Sequence, residues 1–471
     1  MNTKVDKKEL AANAQGSKKE FVACSNSLRA GVFIGFGLLL IIIGLVLSRS
    51  PEVVKEGFHV LLTSNIHLDT SSFDIIGSPG VGVPFIGSGI LGIIVMVSYL
   101  LTKTEVKGST IASAFMVMGF AFCGKSFLNV WPTFFGVLLQ GAVKKKKVNT
   151  VMGLAWFSTA LSPLVNTVAM YTVLDGTNTM AESLQISLVR ILVACVVGML
   201  AGFLIATFAE FLPTKHNGFT LYNAGFAAGL TGFLFFSFMR AAGIGHSGPS
   251  HVYTDDKDLL LASCLAIMML YLLVCGLVLR KKDKAALGEL VLARRKGCFV
   301  DQYGFGTSLV NMSLCGFLCL LYPFLTTTGH INAPVFACLL TVVGFASNGI
   351  TLKTMAPIML GVYAQSVLVG GIKGALSGAQ FLQSGLSYAG SKNMVIAACF
   401  GCGMSPVVTE HGYLIGFLGA MIHSMLVPNT GVLHGWLNLY NNGFCLGLVA
   451  TFFVPLLLQL MQMVKKSENR I

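Results

Sequence analysis

A chain of 471 residues with 54% hydrophobic and 11% charged side chains departs from a water-soluble protein of that length, in which about a quarter of residues carry charge. The formal charge of +13 is gathered in short Lys and Arg blocks at 4–19, 144–147, 280–284, 294–296 and 465–470, each beside an apolar stretch. That is how cytoplasmic membrane loops are built, and it points away from nucleic acid and towards an all-α integral membrane protein.

A basic polar arm over 1–29 comes first, and the apolar stretch after it carries no small-residue cleavage site, so it is expected to stay as an anchor. With basic loops held inside, the chain runs outward over 31–48 and inward over 83–101. A stretch at 109–142 then has Lys103 and Lys107 before it and four lysines after it, so both its ends are cytoplasmic and it must be a hairpin. The path continues outward over 149–171, inward over 191–209 and outward over 219–239. After an external loop at 241–257 it runs inward over 259–279 to a basic loop at 280–296. The second half starts from the opposite side: outward over 304–325, a hairpin over 331–366 entered from outside, inward over 393–409, outward over 413–427, and inward over 439–464 to a cytoplasmic tail at 465–471.

Internal similarity links these halves. Residues 221–230 and 439–448 share Leu-Tyr-Asn-x-Gly-Phe-x-x-Gly-Leu at an offset of 218. Gly119-Phe-Ala-Phe-Cys-Gly124 aligns with Gly344-Phe-Ala-Ser-Asn-Gly349 at 225, carrying Pro132 onto Pro357, Gly136 onto Gly361 and Gln140 onto Gln365. Ser162-Pro163 aligns with Ser405-Pro406 at 243. Similar offsets in the same order mark a duplication, so 30–240 and 258–464 read as two membrane repeats, each about five transmembrane helices plus a re-entrant or short hairpin, 10 to 14 membrane segments in all. Matched elements run in opposite directions, the inverted-topology design of channels and secondary transporters.

The paired Leu-Tyr-Asn-x-Gly-Phe-x-x-Gly-Leu segments, with Gly306-x-x-Leu309-Val-Asn311-Met312, resemble a bacterial membrane-protein family known as the tandem domain of unknown function fifteen seventy-six. The resemblance covers nearly the whole chain and implies no assigned activity. In outline, five helices plus a hairpin per half with both termini inside also looks like the urea-transporter fold, although the Leu-Pro-x-x-Thr-x-Pro-Phe filter segment of that family is absent here.

Each hairpin is about 35 residues, whereas two full crossings and a turn need ~40, so re-entrant half-helices and complete crossings are both open. A re-entrant geometry would bring Lys125 and Lys353 to the bilayer centre, where a basic group costs at least ~2.5 kcal/mol and faces a partner or a watery path, here an anionic solute. In full crossings the two lysines would snorkel at the surface. Ser126, Asn129, Asn348 and Thr351 could add hydrogen bonds to the same spot, or serve as interhelical glue. Tyr222, Asn223, Tyr440 and Asn441 recur in both halves, as solute ligands or as caps of broken helices. Gly225, Gly229, Gly443 and Gly447 have the small-xxx-small spacing of close helix packing. Glu410 and His411 are a titratable pair confined to the second half, a proton-coupling site or a solvated loop. The alternative class, a membrane-embedded enzyme, would use Glu410, His411 and His434 as its acid-base group.

His246, His251, Asp255 and Asp256 in the external loop, and the Cys399-x-x-Cys402 pair, lack specific metal spacing, and no cofactor motif is placed in a suitable context. The expectation is a multi-pass transporter or channel for a small polar or anionic solute in the bacterial cytoplasmic membrane, with both termini inside, no cofactor, and lipid, solute and further copies of itself as partners.

Overall fold

In hydrocarbon every backbone N–H and C=O must be satisfied within the protein, which leaves helices as the structure for such apolar segments. The computed structural model describes residues 24–58, 80–170, 188–243, 257–283, 287–291, 293–326 and 330–468, and every regular element among them is helical. The first repeat contains α1 (Asn26–Ser48), α2 (Gly82–Leu101), α3 (Ser109–Ala121), α4 (Trp131–Val143), α5 (Val148–Ser158), α6 (Ser162–Met170), α7 (Leu188–Lys215) and α8 (Asn223–Ala241). The second contains α9 (Asp258–Leu279), α10 (Phe305–Leu325), α11 (Ala333–Phe345), α12 (Leu352–Leu376), α13 (Phe381–Ala389), α14 (Lys392–Gly401), α15 (Ser405–His411), α16 (Tyr413–Thr430), α17 (Asn441–Leu448) and α18 (Val454–Glu468). Among the described residues eleven helices are long and apolar enough to cross a membrane, counting α5 with α6, α14 with α15 and α17 with α18 as single spans. The chain is an all-α membrane protein.

Two spans break at the Ser-Pro pairs. Proline lacks an N–H and fits the first turn of a helix, so α6 and α15 restart at Ser162-Pro163 and Ser405-Pro406 after a 3₁₀ turn. Helices α3, α4 and α11 have 13 residues each, ~20 Å of rise against ~30 Å of hydrocarbon. The second hairpin departs from its expected limit at 366: α12 continues to Leu376 and folds back through α13, where Gly374 lies against Ser384 and Gly371 against Phe381.

Non-helical backbone in hydrocarbon is tolerated only where protein surrounds it, and both hairpin tips are largely buried in protein. Gly124 (φ 98°) and Gly349 (φ 126°) take up backbone angles that side chains resist. Just beyond each glycine, the Ser126 N–H donates to Asn129 Oδ1 at 2.9 Å and the Thr351 N–H to Thr354 Oγ1 at 3.0 Å, the same turn closed by different side chains. Asn311 on α10 holds the second tip by donating to the carbonyls of Ala346 and Ile350, both at 2.8 Å.

The repeats meet through like elements: α3 packs on α11, α8 on α17 and α1 on α9. A Cβ on Gly119 would lie 3.1 Å from Ala337 and one on Gly344 3.0 Å from Ala112, so α3 and α11 pass antiparallel with reciprocal contacts. A Cβ on Gly225 would lie 3.0 Å from Gly443 Cα, and one on Gly443 3.0 Å from Gly225 Cα. Gly447 faces the Phe226 ring, and Gly229 faces Phe444.

At one end of the molecule the basic segments find acidic partners: Lys107 pairs with Asp301 at 3.3 Å, Lys146 with Glu210 at 2.7 Å, Lys144 also with Glu210, and Lys296 with Glu410. The Glu105 carboxylate raises the Lys107 amine, whereas burial lowers that of Lys296.

Two outcomes follow from the packing. Gly447→Val, placing atoms where Phe226 now sits 2.0 Å from the would-be Cβ, should lower stability by about 1–3 kcal/mol in a detergent melt, with Phe226→Ala in the same chain recovering part of the loss. Asn311→Leu should cost about 1–3 kcal/mol for each carbonyl it orphans, whereas an unchanged melting temperature would show that the tip holds itself.

Candidate functional site

Two cavities lie between the repeats. The first, 290 Å³, is bounded by the starts of α3 (Ser109, Thr110), α5 (Asn149, Thr150) and α8 (Asn223), with Asn348 from the second hairpin tip. The second, 240 Å³, is bounded by the starts of α11 (Asn332, Pro334), α14 (Lys392, Asn393) and α17 (Asn441, Asn442), with Cys123 from the first tip. The repeat offsets carry one lining onto the other: 243 takes Asn149 and Thr150 to Lys392 and Asn393, 218 takes Asn223 to Asn441, and 225 takes Ser109 to Pro334. The cavities are therefore equivalent places in the two repeats. Their polar groups are mostly amides and hydroxyls, and no charged residue lines the first.

Aromatic rings separate them. Phe157 stacks on Phe345 (5.9 Å between centroids), Phe345 meets Tyr222 edge-on (4.8 Å), Tyr222 meets Phe400 (6.4 Å), Phe400 stacks on Phe120 (6.0 Å), and Phe120 packs on Tyr440 (4.7 Å). Phe157 corresponds to Phe400, Phe345 to Phe120 and Tyr222 to Tyr440, so the run Phe157–Phe345–Tyr222 maps onto Phe400–Phe120–Tyr440, and the Tyr222–Phe400 contact joins the two runs. Phe400 lines both cavities, while Phe120 lines the second and Tyr440 the first. Offset and edge-on ring pairs of this kind add about 0.5–1.5 kcal/mol each beyond the area they bury.

The tyrosines and asparagines are held by matched turns. Asn217 and Gly218 in one repeat and Gly435 and Trp436 in the other adopt left-handed backbone, reversing the chain before α8 and α17. Asn223 meets His216 Nε2 at 3.1 Å and donates to the Ala209 carbonyl at 2.9 Å. Asn441 meets His434 Nε2 at 3.0 Å, accepts from Thr430 at 2.8 Å and donates to the Val427 carbonyl at 3.2 Å. Both amides thus anchor a helix start to the preceding span while edging a cavity.

The expected lysine pair does not form. Lys125 is 2% exposed at the first tip, whereas Lys353 is exposed on α12. The physical reason is register: at the offset of 225, Lys125 corresponds to Ile350 and Lys353 to Leu128. Ser126 and Asn129 close the first tip, Asn129 Nδ2 also donating to the Gly124 carbonyl at 3.0 Å. Thr351 caps α12 and donates to the Ala293 carbonyl at 2.9 Å. Of the tip residues singled out by sequence, Asn348 alone reaches a cavity.

Glu410 is ion-paired with Lys296, and His411 packs edge-on against Phe219 at 5.0 Å. His434 is buried beyond the far end of α16, about 27 Å along an 18-residue helix, so an acid-base group of Glu410, His411 and His434 is not assembled at one surface. Residues 246, 251, 255 and 256 lie outside the described residues. Cys399 and Cys402 are buried in α14 and the turn after it.

Sequence reasoning passed over the rings and the cavity-lining residues Asn149 and Asn393. The signal existed, because Phe120 and Phe345 stand second in the aligned Gly-Phe-Ala segments, and the Ser-Pro offset carries Phe157 onto Phe400.

Among known proteins, one family matches, over residues 50–241 and 293–459, two segments that take in both hairpins, both Ser-Pro breaks and both Tyr-Asn pairs. No curated protein and no solved structure matches, and nothing in these comparisons shows the likeness to urea transporters. By the extent of that match, the chain belongs to the family described as Protein of unknown function (DUF1576).

Proposed function

We propose that the protein is a transporter or channel that passes a small uncharged polar solute between two vestibules at opposite membrane faces. The observation that carries this reading is the pair of equivalent cavities meeting at one shared ring, Phe400. Since α3 and α11 pass antiparallel, the axis relating the repeats lies across the helices, and helices that span a bilayer then place it in the membrane plane. The first cavity adjoins the end where Lys107, Lys144 and Lys146 gather, which is the cytoplasmic side by the positive-inside rule. The second adjoins the opposite end, where His330 pairs with Asp258 at 2.9 Å.

The lining supports an uncharged solute. The amides and hydroxyls of the first cavity replace the hydrogen bonds an uncharged polar molecule loses on leaving water, whereas an ion would need compensating charge, which Lys392 supplies at the second cavity alone. The ring chain sets the size limit, because a solute must part aromatic faces to pass.

Purified protein in liposomes, followed by stopped-flow light scattering, should admit formamide, acetamide or glycerol faster than protein-free vesicles. Phe400→Ala should raise that rate by roughly tenfold, equivalent to ~1.4 kcal/mol off the barrier. Wild-type and Phe400→Ala vesicles indistinguishable from empty ones would overturn the reading. Glu410→Gln, which removes only a half-exposed ion pair, should leave the flux and its pH profile intact and cost at most about 1 kcal/mol of stability; loss of flux in that variant would instead favour proton coupling.

A further inference from the structure

The second cavity carries three groups that its counterpart lacks. At the repeat offsets, Lys392 stands where the first repeat has Asn149, Trp436 where it has Gly218, and Asn442 where it has Ala224. A cation, an indole and an amide are thus set into one cavity, while the matching places hold an amide, bare backbone and a methyl group.

Trp436 is the most telling of the three. Its φ of 61° lies in the left-handed region, which Gly218 in the first repeat (φ 67°) occupies without cost and where a bulky side chain is a rare outlier. Such strain persists only where the surroundings hold it, and it clusters at ligand sites. Here the Trp436 N–H donates to the Gly431 carbonyl at 3.0 Å, and the place of a Cβ on Gly431 lies 2.5 Å from Cζ3 and 2.7 Å from both Cε3 and Cη2 of the indole. A point nearly equidistant from three successive ring atoms is above the ring and not at its edge, so Gly431 backs one face of the indole. The other side of the ring is left to the cavity that Trp436 lines.

An indole held flat against backbone is a stacking platform for a flat or apolar body. Lys392, half-buried at the rim, supplies positive charge, and Asn393 and Asn442 supply amide donors. No acidic residue lines the cavity among the described residues. We infer that the second cavity is a binding site for a small carboxylate with a flat apolar body, which seats its charge at Lys392 and its body on Trp436. At 240 Å³ the cavity has room for a molecule of benzoate's size, below the ~300 Å³ at which pockets for drug-sized ligands begin. No charged residue lines the first cavity, so the carboxylate is a ligand of one face, and the inference holds whether or not an uncharged solute passes between the cavities.

The test is isothermal titration calorimetry of the purified full chain in detergent, with benzoate, benzamide and acetate as probes and detergent-only titrations subtracted. Benzoate should bind wild type at least about tenfold more tightly than benzamide, which lacks the charge, and than acetate, which lacks the ring. Lys392→Asn and Trp436→Gly give the second cavity residues with which the first repeat already folds, so both variants are expected to elute as folded protein. Lys392→Asn should bring benzoate to within about threefold of benzamide, and Trp436→Gly should bring it to within about threefold of acetate. Wild type that binds no benzoate, or binds benzamide or acetate as tightly, overturns the inference. So does an undiminished preference in either folded variant. The three probes on wild type decide the matter even where a variant fails to fold.

Discussion

The near contact of two glycines, Gly225 and Gly443, is the constraint from which the centre of the molecule follows. Lipid offers helices no hydrophobic reason to associate, so close packing of small residues must supply one. Here each glycine's missing Cβ is the space taken by the other's backbone, and the same vacancy lies 3.3 Å from the Cβ of the opposite tyrosine, Tyr440 or Tyr222. Helices that meet so closely bring their first residues to the common axis. Tyr222 and Tyr440 therefore flank it, the phenylalanines of α3, α11 and α14 close around them, and the cavities are left on either side.

Around that seam the repeats keep the same geometry with different chemistry. A histidine and an asparagine seven residues apart brace the start of α8 and again of α17. Asn129 closes one hairpin tip and Thr354 the other. Where the chemistry diverges, it does so by single residues: Lys125 against Ile350 beside the rings, and Asn149 against Lys392 at the cavity rims. Equivalent places with unequal charge give each cavity its own electrostatic character without disturbing the shared framework.

Much of the framework was legible in sequence because it depends on repetition and apolar length. The Tyr-Asn segments, the Gly-Phe-Ala segments and the Ser-Pro pairs marked the duplication, and their glycines read correctly as packing residues. The extension of α12 was hidden because Gly370, Gly371 and Gly374 suggest a turn until Phe381 and Ser384 are seen packed against that face. Lys125 and Lys353 were paired by residue type rather than by register, and a three-residue slip moves a side chain from the interior to the exterior. The ring chain was obscured by abundance: among 34 phenylalanines, the four that matter come from α3, α5, α11 and α14, and their meeting is a property of the folded chain.

The most direct measurement is sided labelling of single cysteines at Thr150 and Asn393, both exposed at their cavities, with the four partly exposed native cysteines (Cys24, Cys195, Cys275 and Cys298) replaced. In intact cells a membrane-impermeant maleimide should label Asn393→Cys and spare Thr150→Cys, and inside-out vesicles should reverse the result. Labelling of both positions from the same side would contradict opposed vestibules, and with them the inverted arrangement on which the transport reading stands.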